Sequence, residues 1–210
     1  MPRLARTIIS PSFEIEDAGP SPVCGVDEAG RGPLAGPVVA AAVILDRQIV
    51  PDGIGDSKTL TASQREAVFR DILRHAEVGF AYVSASEIDR LNIRRATLLA
   101  MRRAVAALPR RPAMVLVDGR DTPPGLMQPA RAVVGGDALS LSIGAASIVA
   151  KVMRDRVMRE IDRQDGRYGF ARHMGYPTVE HRLALERHGP SPYHRMTFGP
   201  LKSWRANGGP

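Results

Sequence analysis

The feature that most limits the fold is a run of eight consecutive apolar residues, VVAAAVIL, at positions 38–45. An unbroken apolar run of this length is typical of a β-strand that is covered on both faces. It is far shorter than the ~20 residues that a membrane-spanning helix needs. Helices must then pack on both sides of the sheet, so the run predicts an α/β protein.

The remaining elements can be predicted from shorter patterns. Four more apolar runs predict strands, and each ends at or near glycine or an acid: VCGVDEA at 23–29, VGFAYVSA at 78–85, AMVLVDG at 113–119 and ARAVVGGD at 130–137. Capping-box spacings predict a helix after Thr61 or Ser63 and a short turn of helix after Ser84. Apolar residues at helical spacing predict longer helices over 92–108 and 140–163 and another from Thr178. The stretch from Ser191 is predicted to be irregular, and the strands precede a helix-rich last third.

The overall charge favours a polyanionic partner. The chain has 29 Lys and Arg against 22 Asp and Glu, which gives a net charge of +7, although a basic protein without such a partner is an alternative. The single cysteine, Cys24, excludes an intramolecular disulfide and fits a reducing compartment. Residues 1–22 contain no sustained apolar region of the kind that secretory signals carry, so we expect a cytoplasmic protein without a membrane segment.

Four acidic residues share one position in the pattern. Asp27, Glu28, Asp118 and Asp137 each lie where an apolar run meets glycine, which is where sites form in open α/β sheets. Carboxylates brought together repel one another, and a divalent cation can offset that repulsion. Oxygen ligands select Mg²⁺ or Mn²⁺, and a pair of such ions can catalyse phosphodiester cleavage. Taken singly, each acid also fits ordinary turn chemistry.

The two adjacent acids raise a geometric difficulty. Neighbouring residues on a regular strand point to opposite faces of the sheet. Asp27 and Glu28 can therefore share one site only in certain ways. The strand must end or bulge there, or Glu28 must contribute its backbone carbonyl.

A glycine–arginine–glycine turn follows the acids at Gly30, Arg31 and Gly32. With Ala35 it loosely matches a dinucleotide-binding fingerprint, but the next element is a strand rather than the helix that this motif requires. Glycines allow a backbone to approach a ligand closely, and arginine offers a cationic fork to phosphate. We interpret the turn as a ligand-binding loop, with a plain turn as the alternative.

Together these segments resemble the motifs of the ribonuclease HII family. The matching segments cover residues 23–201 in the family's order: GVDEAGRGPLAGPV (25–38), DSKTL (56–60), LNI (91–93), LVDG (116–119), GD (136–137), AASIVAKVMRD (145–155), YGFARHMGYPT (168–178) and FGP (198–200). The resemblance implies an RNase H-like fold, a mixed five-stranded sheet flanked by helices with a C-terminal helical extension. It divides the matched part into a catalytic core (22–165) and an extension packed on the core (166–210). Residues 1–21 are polar and rich in proline, and we expect them to form a flexible arm.

The resemblance also implies an activity and assigns residues to it. The activity is endonucleolytic hydrolysis of RNA in RNA–DNA hybrids, with incision 5′ to single ribonucleotides in duplex DNA, leaving 5′-phosphate and 3′-hydroxyl ends. By motif, Asp27, Glu28 and Asp118 are the ligands for Mn²⁺ or Mg²⁺, and Asp137 is the fourth catalytic acid. The resemblance assigns recognition of the 2′-hydroxyl to Gly30, Arg31 and Gly32, and packing on the sugar to Tyr176. It assigns contacts with phosphates to Ser57, Lys58, Lys151 and Arg154. Thr59 and Met174 replace lysines that are common in the family.

Two other functions compete with this interpretation. One is a different metal nuclease on the same fold, such as a resolvase or a ribonuclease HI-like enzyme, which the glycine–arginine–glycine turn disfavours. The other is a non-catalytic RNA- or hybrid-binding module, but aromatic residues make up only 5% of the chain, too few for a stacking platform.

We expect a monomer that binds RNA–DNA hybrid and ribonucleotide-containing duplex DNA. The histidines at 173, 181, 188 and 194 lack a zinc-site spacing, and we interpret them as structural or hybrid-contacting.

Overall fold

A computed structural model describes residues 11–54 and 60–206, with side chains up to Trp204. Its centre is a five-stranded sheet in the order β3-β2-β1-β4-β5. The strands are β1 (Val23–Ala29), β2 (Val38–Leu45), β3 (Ala76–Val83), β4 (Met114–Asp118) and β5 (Ala130–Val133). The first three pair antiparallel, whereas β1, β4 and β5 run parallel, so the sheet is mixed, as predicted.

Helices cover both faces of this sheet. They are α1 (Glu14–Asp17), α2 (Ala62–His75), α3 (Ala85–Leu91), α4 (Ile93–Ala106), α5 (Leu141–Gln164), α6 (Phe170–His173), α7 (Val179–His188) and α8 (Gly199–Ala206), with a 3₁₀ turn at Gly136–Ala138. Within the described ranges, no helix is both long enough and apolar enough to cross a membrane.

The unbroken apolar run is explained by these two layers. Every residue of β2 is buried. Val38, Ala40, Ala42 and Ile44 pack in the core on the α4 side of the sheet. Ala41, Val43 and Leu45 pack in the core with α2 and α5. Since each face has its own helical layer, neither face of β2 needs polar residues.

Most predicted boundaries agree with the structure, and two do not. Thr61 and Gln64 form the predicted capping box of α2, and Ser84 and Glu87 form that of α3. The prediction that the end of the chain is irregular was wrong for Gly199–Ala206, which forms α8. The fifth strand also ends earlier than predicted, at Val133, so Asp137 lies in the 3₁₀ turn instead of on a strand.

The described part of the predicted flexible arm is packed rather than loose. Glu16 of α1 is only 2% exposed. Its Oε1 accepts hydrogen bonds from the Ser140 hydroxyl at 2.7 Å and the Ser142 amide at 3.0 Å. This contact ties residues 14–17 to the start of α5, and it joins positions more than 120 residues apart, which local sequence patterns do not predict.

The C-terminal segment packs against the glycine-rich loop between β1 and β2. Leu34 and Ala35 of that loop share an apolar cluster with Phe170, Leu185 and Leu201. Two backbone hydrogen bonds of 2.8 Å reinforce the contact, one from the Gly36 amide to the Tyr193 carbonyl and one from the Arg195 amide to the Leu34 carbonyl. The loop is therefore held between the sheet and the end of the chain.

Two buried histidines in this segment have tautomers that their neighbours determine. The Ser191 amide donates to Nδ1 of His194 at 2.9 Å, and Nδ1 of His181 lies 2.9 Å from the Tyr176 carbonyl, which can only accept. His194 therefore carries its proton on Nε2 and donates it to Nε2 of His181 at 3.0 Å. A second proton on either ring would place two N–H groups face to face.

We expect this pair to make stability depend on pH. Burial, with the neighbouring His181, lowers the pKa of His194 from 6.5 to about 4. Below pH 6.5, His194 binds a proton in the unfolded chain but stays neutral in the folded chain. The free energy of unfolding therefore falls as the pH drops below 6.5. Between pH 7 and pH 5 the loss should be about 2 kcal/mol, measured by urea unfolding at each pH. His194→Gln should remove this part of the pH dependence, whereas the exposed His75→Gln should retain it.

Candidate active site

The first two predicted acids lie inside β1 and point to opposite faces of the sheet. Asp27 pairs with Ala41, which faces α5, and Glu28 pairs with Ala40, which faces α4. The strand continues to Ala29 without a break, so the adjacent acids do not meet at a strand end. Asp27 is 6% exposed, and the Ser147 hydroxyl of α5 slightly opposes the rise in the pKa of its carboxyl group, as expected for a side chain on the α5 face.

Asp118 lies beside them at the end of β4. The parallel register pairs Val26 with Val117, so Asp27 and Asp118 follow at the same level of two adjacent central strands. The Gly136 amide donates to Oδ1 of Asp118 at 2.7 Å. Because Asp137 follows Gly136 directly, this bond anchors the 3₁₀ turn that carries the fourth acid next to the end of β4.

The three acids on the two strands influence one another electrostatically. Burial raises the pKa of Asp27 well above its usual range, and the charges of Glu28 and Asp118 add to the effect. Burial also raises the pKa of Glu28, Arg31 opposes the rise, and Asp118 supports it. Arg31 reaches Oε1 of Glu28 at 3.4 Å, with 55% of the arginine side chain exposed. Buried carboxylates that repel one another in this way would be stabilised by a divalent cation.

The carboxylates are nevertheless not arranged as a complete ligand set. Among the residues that the structure describes, no three His, Cys, Asp or Glu side chains are placed to hold one metal ion together. Glu28 instead pairs with Arg31. The donor chemistry fits Mg²⁺ or Mn²⁺, since all the candidate ligands are oxygen atoms.

The glycine–arginine–glycine turn needs its first glycine. Gly30 has a φ of +97°, a conformation that side chains rarely adopt, and a methyl group there would lie 2.0 Å from Nε of Arg154. Gly32 has room for a side chain, since a methyl group there would meet only the Tyr176 ring, at an ordinary distance of 3.7 Å. The turn thus brings the backbone close to Tyr176, which is 46% exposed.

A cleft of about 420 Å³ joins these parts, and several of the predicted residues line it. Its walls include Glu28 and Gly30 from the first motif, Lys151 and Arg154 from α5, and Tyr176 from the C-terminal segment. Three segments distant in sequence therefore form one surface that combines acidic, basic and aromatic groups.

Comparisons with known proteins identify the family. A sequence profile described as Ribonuclease HII matches residues 24–200. The chain is 57% identical over 196 residues to a protein named Ribonuclease HII from Rhizobium meliloti (strain 1021), with 91% of each chain covered. The chain belongs to the ribonuclease HII family. It is accordingly a hydrolase, an endonuclease of the ribonuclease H type that acts on RNA–DNA substrates.

Solved structures agree with this assignment. The ribonuclease H2 from Pyrococcus horikoshii OT3 superposes with a TM-score of 0.75 at 27% identity, covering 88% of this chain and 97% of that one. A structure of Bst-RNase HIII in complex with Mn²⁺ superposes with a TM-score of 0.69 at 17% identity, covering 88% of this chain and 69% of that one. The second likeness concerns the fold alone.

Among the residues predicted from the ribonuclease HII motifs to contact phosphates, Arg154 is buried and supports the backbone. Arg154 is 1% exposed, and its donors bind the carbonyls of Pro37 at 3.1 Å, Ala35 at 3.3 Å and Met174 at 3.0 Å. Backbone oxygens bind Nε and Nη2 of this guanidinium, and Arg154 also lines the cleft, so its predicted contact with phosphate stays a prediction. Spacing on α5 pairs it with Lys151 but does not show which of the two is buried.

The structure does not test the other predicted phosphate contacts. Lys151 lines the cleft, where its ammonium pairs with Asp155 at 2.8 Å, and its contact with phosphate stays a prediction. Ser57 and Lys58 lie outside the described residues, so their predicted role stays a prediction as well.

Sequence reasoning overlooked three residues around the ribonuclease HII motifs. Ser147 interacts with Asp27, and it precedes Lys151 by one helical turn, so helical periodicity could have indicated it. Arg65 of α2 also lines the cleft, and its Nη2 donates to the Leu60 carbonyl at 2.8 Å. The Arg195 side chain donates hydrogen bonds to backbone carbonyls of the glycine-rich loop, and no local sequence pattern distinguishes it from the other arginines.

Proposed function

We propose that this member of the family cuts RNA–DNA hybrids and also incises duplex DNA 5′ to a single embedded ribonucleotide, leaving 5′-phosphate and 3′-hydroxyl ends. The observation that carries the proposal is the placement of Asp27, Glu28 and Asp118 side by side on two adjacent central strands. Glu28 lines a cleft that also presents Lys151 and Tyr176. A non-catalytic binding module would gain nothing from buried acids that repel a phosphate backbone.

Divalent metal is part of this proposal. Asp27, Glu28 and Asp118 would hold Mg²⁺ or Mn²⁺, with Asp137 as the fourth catalytic acid. When bound, such ions activate water and stabilise the leaving oxygen in phosphodiester cleavage. The related Bst-RNase HIII structure contains Mn²⁺, which supports the choice of a hard divalent ion.

The chain's own residues would select and orient the substrate. The backbone of Gly30, Arg31 and Gly32 would meet the 2′-hydroxyl, the group that distinguishes RNA from DNA at a single position. Tyr176 would pack on the sugar, since its ring is half exposed beside Gly32. Lys151 would attract a phosphate into the cleft, as Arg31 would near the acids.

A duplex of DNA carrying one ribonucleotide tests the proposal. With Mg²⁺ or Mn²⁺ we expect a single incision on the 5′ side of the ribonucleotide, no cleavage of the all-DNA duplex, and loss of cleavage in chelator. Product ends can be read from ligation and from removal of the 5′-phosphate by phosphatase. An enzyme that cut only continuous hybrids, or DNA junctions instead, would contradict the proposal.

A further inference from the structure

One buried side chain binds almost the whole glycine-rich loop. Arg195 has 0% of its surface exposed. Its Nη2 donates to the Gly30 carbonyl at 2.6 Å, and its Nη1 donates to the carbonyls of Arg31 at 3.0 Å and Pro33 at 2.9 Å. Its Nε donates to the Gly36 carbonyl at 2.9 Å. The loop is therefore organised around a single guanidinium.

The chemistry of these bonds makes the arrangement specific for arginine. Hydrogen bonds from a cationic donor are shorter and stronger than neutral ones, and burial strengthens them further. A guanidinium presents five N–H donors in a rigid plane, whereas an ammonium presents a compact charge on a flexible stem. Lysine at position 195 could not reach four carbonyls that lie around the plane of a guanidinium.

Arg195 is itself held by its surroundings. Its amide donates to the Leu34 carbonyl at 2.8 Å, and its guanidinium lies 5.1 Å from the centre of the Phe198 ring. Asp89 of α3 accepts the amides of Met196 at 2.9 Å and Thr197 at 3.0 Å. The segment next to Arg195 is thus fixed to α3, so the arginine is a rigid support.

A second buried arginine completes the support from the other side. Arg154 of α5 binds the carbonyls of Ala35 and Pro37, which flank the Gly36 carbonyl that Arg195 binds. It also binds the Met174 carbonyl, two residues before Tyr176. The two arginine side chains connect the glycine-rich loop, α5 and the tyrosine segment by donating to backbone carbonyls.

We propose that Arg195 is a positioning residue for ribonucleotide recognition, because it fixes the backbone of Gly30, Arg31 and Gly32 in the conformation that meets the ribose. This inference rests on the proposed function of that loop. Arg195 does not touch the substrate in this arrangement, so its effect passes through the loop. A backbone displacement of about 1 Å at a recognition site can cost ~100-fold in rate.

The test measures selectivity for ribose rather than activity alone. The dissociation constants of an all-DNA duplex and of the same duplex with one ribonucleotide are measured in chelator, where no cleavage is expected. We expect Arg195→Lys to lower the ratio of these constants toward one, and to lower kcat/KM on the ribonucleotide duplex at least ~10-fold with metal present. Binding of the all-DNA duplex should be unchanged, since phosphate contacts dominate it.

Two further variants separate positioning from stability. Asp89→Asn loosens the segment that carries Arg195 and leaves the buried charge of Arg195 in place. It should lower the ratio of the two dissociation constants by a smaller factor than Arg195→Lys does. If Arg195→Lys does not fold, Asp89→Asn tests the inference in its place. Ile72→Ala, in the core between α2 and the sheet, destabilises the fold away from the loop and should leave the ratio unchanged.

The outcomes distinguish this inference from the function on which it rests. A wild-type ratio of one would contradict the proposed recognition of ribose, and the inference with it. A wild-type ratio above one that persists in both Arg195→Lys and Asp89→Asn would overturn the inference alone. An equal fall in the ratio with Ile72→Ala would also overturn it, because the effect would then follow stability.

Discussion

Replacing Asp27 by Asn should nearly abolish cleavage while making the metal-free protein more stable. The carboxylate is buried, and the charges of Glu28 and Asp118 oppose its ionisation. Asn keeps the shape and can still accept the 2.7 Å hydrogen bond from the Glu28 amide. Cleavage should fall by ~10³-fold, because an electrostatic group at the reacting phosphate is lost. The free energy of unfolding in chelator at pH 7 should rise by about 1–2 kcal/mol, since the variant removes a buried repelled charge.

A matched control separates this effect from the loss of any negative charge. Asp52 is exposed in the turn after β2, and Asp52→Asn should change neither cleavage nor stability measurably. Binding of an RNA–DNA hybrid by Asp27→Asn in chelator should persist, because the basic residues of the cleft remain. If Asp27→Asn cut normally with Mg²⁺ and with Mn²⁺, Asp27 could not be a ligand of the catalytic metal.

The sheet and the acids could be predicted because their signals are local. An apolar run such as Val38–Leu45 defines a strand without reference to the rest of the chain, and the glycines after Asp27 and Asp118 mark where strands give way to loops. The five strands follow from such runs, and the likeness to ribonuclease HII indicated that they form one mixed sheet. The order of the strands comes from the structure. The position of Asp137 was less well predicted, because a strand and a 3₁₀ turn can share the residues Val–Gly–Gly–Asp.

The supports of the site could not be predicted from spacing. Arg154 and Arg195 are ordinary members of an arginine-rich chain, and only the tertiary structure shows that both are buried against carbonyl oxygens. Charged residues are rarely buried, so the default interpretation of an arginine is a surface contact. The helix α8 was overlooked for a related reason: Gly199 and Pro200 at its start are residues that usually indicate a loop.

Replacing Gly25 by Ala should be among the most destabilising single changes in this chain. Gly25 lies in β1 between its partners Val43 and Leu116, two residues before Asp27. A methyl group there would lie 2.1 Å from the carbonyl carbon of Ser142 and 2.2 Å from the Ile143 amide nitrogen. These are backbone atoms at the start of α5, so no side-chain rotation can relieve the clash. Unfolding free energy should fall by at least ~3 kcal/mol.

The same displacement should reach the active site. Moving α5 away from β1 moves Ser147 away from Asp27, so cleavage by the folded fraction should fall together with stability. Gly166→Ala is the matched control, since its new methyl group would meet only the Asp162 carbonyl at 3.5 Å, an ordinary contact. Denaturant unfolding of both variants measures the difference. A Gly25→Ala protein within ~1 kcal/mol of wild type would mean that α5 does not depend on a glycine to approach the central strand.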